Sequence, residues 1–99
     1  MAAAVRVTLI VLYSTRVEAC REFYGRLGLD FVRERHGEAG YEHYAAPLAD
    51  GGVFEIYPAT PARVTGAVRL GLAVGPAVLP PGRHVLRDPD GRVVDVVSG

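Results

Sequence analysis

Residues 5–13 form an almost unbroken apolar, β-branched run and predict a buried strand. The period then changes. Val17, Cys20, Phe23 or Tyr24, and Leu27 recur every three or four positions, which places one apolar stripe along a helix. Thr15 and Glu18 have capping-box spacing ahead of that stripe, so each side chain is expected to satisfy one orphan amide. Gly28 predicts the stop, as a residue free to take positive φ just past the last turn. Three more strands are expected over 29–35, 41–46 and 53–57, with glycine-bearing loops at 37–40 and 49–52 between them.

Residues 58–65 carry two prolines and read as a linker. A fifth strand is expected over 68–74, followed by an irregular, Pro-rich connection over 75–82. The chain then closes on a hairpin around Asp88-Pro89-Asp90-Gly91. There the proline presets φ, the aspartate bonds its own backbone and the glycine accepts positive φ. Asp95 interrupts the valines of the last strand, and a carboxylate in that setting needs a partner, a metal or a pocket mouth. No second helical pattern occurs.

At 99 residues the chain is one domain, residues 1–99, and its 49% apolar content suffices for one core. Eleven Lys plus Arg balance eleven Asp plus Glu, and no basic cluster stands out, which argues against nucleic acid. Every basic residue is arginine. A lone cysteine, Cys20, cannot form an internal disulfide and sits on the apolar stripe, so it is expected to be buried packing. No bilayer-spanning run and no signal-peptide pattern are visible, so a cytoplasmic location without membrane contact is expected.

The stretch from Tyr13 to Phe31, with Phe23-Tyr24 near the helix end and Leu27-Gly28-Leu29 after it, resembles the glyoxalase / bleomycin resistance / extradiol dioxygenase superfamily, the vicinal oxygen chelate proteins. The string Val53-Phe54-Glu55-Ile56-Tyr57, residues 68–74, and the run from Arg87 to Asp95 resemble that family's later strands. The resemblance implies an α+β fold with a curved mixed β-sheet. It would hold one complete βαβββ module (residues 1–60) and a shortened second module lacking its helix (residues 61–99). It also implies a ligand hollow on the sheet, with metal positions in the family's metalloenzymes falling here on Leu9, Glu55, Arg69 and Asp95. Leu9 offers no donor atom and Arg69 is a permanent cation, so only Glu55 and Asp95 remain as metal candidates.

Residues two apart on a strand share a face. Glu55, Arg69 and Asp95 therefore fall opposite Phe54 and Ile56, Leu70 and Leu72, Val94 and Val96. The charged set is expected on the hollow face, as a ligand anchor or as a triad in which Arg69 satisfies both acids. Leu9, Val11, Tyr13 and Tyr57 would line the same hollow. Of the histidines, His84 is favoured over His43 as a catalytic or metal-binding partner for these acids.

Without a second helix, Leu70, Leu72, Val74, Val94 and Val96 would leave a bare apolar face. At about 25 cal/mol per Å² that exposure costs several kcal/mol, so a homodimer covering it is expected. The favoured function is a metal-independent small-molecule binding protein without cofactor, using Leu9, Tyr13, Glu55, Tyr57, Arg69 and Asp95. The first alternative is an enzyme: a lyase, isomerase or dioxygenase holding a divalent metal through Glu55, Asp95 and a relocated His84 or His43. The second is an assembly module without ligand.

Overall fold

The computed structural model describes residues 4–38 and 40–99. The opening tripeptide and Ala39, inside the expected 37–40 loop, lie outside the described residues. The order is β1 (Leu9–Ser14), α1 (Val17–Arg26), β2 (Val32–Glu34), β3 (His43–Pro47), β4 (Val53–Pro58), β5 (Arg69–Val74), β6 (Gly82–Arg87) and β7 (Val93–Ser98). This is an α+β arrangement. Its strands form two mixed sheets, β1-β4-β3-β2 and β5-β7-β6. In each, a parallel pair (β1 with β4, β5 with β7) sits beside an antiparallel hairpin.

Strand positions follow the sequence pattern, with boundaries set by pairing. β1 begins at Leu9 and not at residue 5, because its partner β4 starts only at Val53. Val5 and Val7 are exposed accordingly. β2 shrinks to three residues because only those pair with β3.

The helix start differs from the expected capping box. Arg16 is the N-cap residue, and its side chain makes no capping hydrogen bond. The nearest hydroxyl that acts is Ser14 Oγ, which accepts the Arg16 amide at 2.8 Å. Glu18 is drawn elsewhere: its carboxylate accepts the Tyr44 hydroxyl and Arg21 Nε. The helix end matches expectation. Gly28 has φ 110°, its amide reaches Gly25 O at 3.0 Å, and the Leu29 amide reaches Tyr24 O at 3.3 Å. That is the Schellman pattern, which a Cβ at position 28 would oppose.

The expected bare face on the second sheet does not occur. Leu12, Cys20, Tyr24, Leu27, Phe54, Ile56, Leu70, Val94 and Val96 form one buried cluster. Side chains of α1 and of both sheets thus share one core. Val94 and Val96 are fully buried and Leu70 nearly so. The 75–82 connector supplies further cover, with Val78 and Leu79 packed on the cluster and Ser98 Oγ donating to Leu79 O at 2.7 Å. The apolar-face argument for a second copy is thereby overturned.

The closing hairpin does more than turn. Asp88 Oδ1 accepts the amides of Asp90 and Arg92, while Oδ2 accepts the Tyr24 hydroxyl at 2.7 Å and Arg92 Nη1 at 2.8 Å. Arg92 Nη2 also bonds the carbonyls of Tyr13 and Thr65. One buried ion pair thus ties helix, β1, linker and hairpin together, with most of its hydrogen-bonding capacity satisfied.

Candidate functional site

On β1, β4, β3 and β2, the face turned away from the helix carries a row of rings. Tyr13 pairs with Tyr57 across the parallel register, and their centroids lie 5.7 Å apart. Tyr57 stacks on His43 at 4.1 Å and 6°, and His43 stacks on His36 at 5.0 Å. Burial, reinforced by the nearby Glu55 charge, raises the Tyr57 phenol above its ordinary pKa. Beside this row, Glu55 occupies the next position along β4, flanked by Val11 and Ala45 on the neighbouring strands.

His43 is 1% exposed. Its Nδ1 lies 3.2 Å from the Tyr41 carbonyl. A carbonyl only accepts, so Nδ1 carries a proton there and Nε2 is the nitrogen left for other partners. That nitrogen faces Glu34 Oε1 and Glu55 Oε2, each at 3.3 Å. Neither oxygen meets it in hydrogen-bonding geometry, so among the described residues Nε2 is buried without a hydrogen-bond partner.

The second sheet carries a separate polar centre. Asp95 accepts Arg69 Nη2 at 2.6 Å and Arg83 Nε and Nη2 at 2.7 and 2.8 Å. These two guanidinium groups hold the Asp95 carboxyl well below the usual carboxylate range. Gly71 lies opposite Asp95 on β5, and Ala73 pairs with Val97, so small side chains leave an open tray of about 500 Å³ beside the acid.

The expected site residues therefore fall into two groups. Leu9, Tyr13, Glu55 and Tyr57 share the first sheet's outer face, whereas Arg69 and Asp95 share the second's. The triad is corrected: among the described residues Arg69 pairs with Asp95 and not with Glu55, and the second partner of Asp95 is Arg83. Glu55 instead lies 3.3 Å from His43 Nε2, without a hydrogen bond to it. His84 does not reach Asp95, because it pairs with Val96 while Val85 pairs with Asp95, which turns the imidazole to the opposite face. There its Nε2 donates to Pro80 O at 2.7 Å.

The metal positions implied by the resemblance do not fit an ion. Leu9 is aliphatic and 54% exposed, Arg69 is committed to Asp95, and Glu55 and Asp95 stand on different sheets.

Glu34, His36 and Arg83 escaped the sequence reading. Glu34 and His36 are two apart, and the β2–β3 register sets Glu34 against His43. The first signal was visible in the sequence, whereas the second needed the pairing. Tyr44 is structural, buried and bonded to Glu18 and Arg33, while Tyr41 is exposed. Cys20 is fully buried, and that burial pushes its thiol pKa up, so it is packing as expected. An apolar cleft of about 310 Å³ opens beside the helix end, lined by Leu27, Leu29, Leu48, Leu72, Val74 and Val78, with no titratable group. Among the described residues no helix is long and apolar enough to cross a membrane.

Solved structures share this architecture. An antibiotic binding protein, TnmS3 from Streptomyces sp. CB03234, superposes with TM-score 0.65 at 22% identity over 99% of this chain and 98% of that one. A possible glyoxalase from Bacillus cereus gives 0.64 at 16% identity over 95% and 99%. A glyoxalase/bleomycin resistance protein from Albidiferax ferrireducens T118 gives 0.56 at 17% over 98% and 100%. No protein-family model matches the sequence, and no curated protein matches it. The fold is that of the glyoxalase and bleomycin resistance proteins, as the motifs from Tyr13 to Phe31 and from Arg87 to Asp95 imply.

Proposed function

We propose that the protein binds a flat organic molecule in a hollow closed by two copies of the chain, with no metal at the Leu9, Glu55, Arg69 and Asp95 positions. The observation that supports it most is the ring row Tyr13–Tyr57–His43 on the first sheet's outer face, its two tyrosines half-buried and His43 buried, with Glu55 beside it. Aromatic rows of this kind stack on planar ligands, and a few placed charges fix their orientation. The antibiotic binding neighbour lends the reading a ligand class.

The second copy follows from topology. Both sheets turn their apolar faces to one core, so their charged faces point away from it. Each charged face keeps apolar side chains in water: Leu9 and Val32 on the first sheet, Val85 and Val97 on the second. Exposed apolar patches rimmed by charge mark interfaces. Setting the ring row of one copy over the Asp95 tray of another encloses a hollow that neither copy has alone. The chain holds no tryptophan, so its emission comes from five tyrosines, two of them in the row. Titration with a panel of planar aromatic antibiotics should quench that emission saturably, and a panel that leaves it unchanged overturns the reading.

A further inference from the structure

We propose that Glu34, His36, His43 and Glu55 form a binding site for a divalent transition ion of the zinc class. One donor atom from each lies within 4.8 Å of all the others. The site is displaced from the positions the resemblance implies, sharing only Glu55 with them.

Three observations carry it independently of any organic ligand. The first is the spacing. Two donors bound about 2.0–2.1 Å from zinc at a tetrahedral angle stand about 3.3 Å apart. His43 Nε2 lies 3.3 Å from Glu34 Oε1 and 3.3 Å from Glu55 Oε2.

The second is the state of His43. Its Nδ1–H is engaged by the Tyr41 carbonyl, the backbone contact that fixes tautomer and ring orientation in metal-ligating histidines. Nε2 is buried, has no hydrogen-bond partner among the described residues and lies 3.3 Å from each of two carboxylate oxygens. Nε2 and the two carboxylate oxygens thus converge in a half-buried setting on a point that one shared cation would coordinate.

The third is the rest of the set. His36 Nε2 stands 3.9 Å from Glu34 Oε1, and its side chain is 73% exposed, free to swing onto an ion. Two imidazoles beside two carboxylates select zinc, nickel, cobalt or iron over calcium or magnesium, which prefer all-oxygen shells.

The test uses metal alone. Full-length protein stripped with chelator is titrated with zinc by calorimetry and with cobalt(II) by visible absorption. One ion per chain and the d–d bands of four-coordinate cobalt are expected. His43→Gln should weaken zinc at least about tenfold. Because His43 is buried, His36→Ala and Glu34→Gln, both at exposed positions, should each weaken zinc while circular dichroism stays unchanged. His84→Ala should bind as the parent does. A folded protein that takes up no stoichiometric zinc, or affinity indifferent to all three site variants, overturns the proposal.

Discussion

The Tyr24 hydroxyl donates to the Asp88 carboxylate across 2.7 Å, joining the last turn of the only helix among the described residues to the closing hairpin. Burial and this bond raise the Tyr24 phenol far above its ordinary pKa, so the hydroxyl stays a donor. Burial alone would raise the Asp88 carboxyl, but the Tyr24 hydroxyl and the Arg92 guanidinium and amide outweigh it and hold it low. Tyr24→Phe removes one hydrogen bond to a charged acceptor and should cost about 1.5–3 kcal/mol in urea unfolding. Asp88→Ala removes the acceptor of Tyr24, of Arg92 Nη1 and of two amides, leaving Asp90 as the remaining acid on the buried Arg92 guanidinium, and should cost more, about 3–5 kcal/mol.

Acid should unfold the protein in a definite window. Asp88, Asp95 and Glu18 all have carboxyl pKa values lowered on folding. A depressed pKa stabilises the fold above the group's unfolded value and loses that contribution as pH falls through the folded one. Stability should therefore hold from neutrality down to about pH 5 and fall steadily below about pH 4. Asp88→Asn should flatten that slope in denaturation curves taken across pH.

Light scattering at micromolar concentration should give twice the chain mass. Val97→Asp places a charge on the exposed face of the second sheet, outside the core. That variant should run as a folded monomer with an unchanged unfolding midpoint in dilute solution.

Tyr57→Ala removes the central ring of the row and should weaken a bound planar aromatic by about tenfold. Tyr41→Ala, an exposed residue whose ring is not part of the row, should leave the affinity unchanged. Fluorescence titration of the three proteins separates these outcomes.

Much of the fold was legible because its signals are local. The stripe from Val17 to Leu27, the positive-φ stop at Gly28 and the turn from Asp88 to Gly91 each follow from neighbouring residues. Alternation also assigned faces correctly, placing Phe54, Ile56, Val94 and Val96 inward and Glu55 and Asp95 outward. What failed depended on three-dimensional placement. A core shared by the helix and both sheets leaves no periodic trace, so the second sheet's apolar face was expected in water. The Glu55–His43 contact arises from strand pairing, and Arg83 finds Asp95 only through the β6–β7 register. The capping box misled because Glu18 sits beside Tyr44, a partner 26 residues away, and bonds it instead.

Cross-subunit complementation tests the shared hollow most directly. Tyr57→Ala damages the ring row and Asp95→Asn the opposite tray, so each variant alone should bind a planar aromatic weakly. Mixed in equal amounts and allowed to exchange, they should regain tight binding in about a quarter of the hollows, each built from one intact face of either chain. A mixture that binds no better than its parents would contradict a site assembled from two copies.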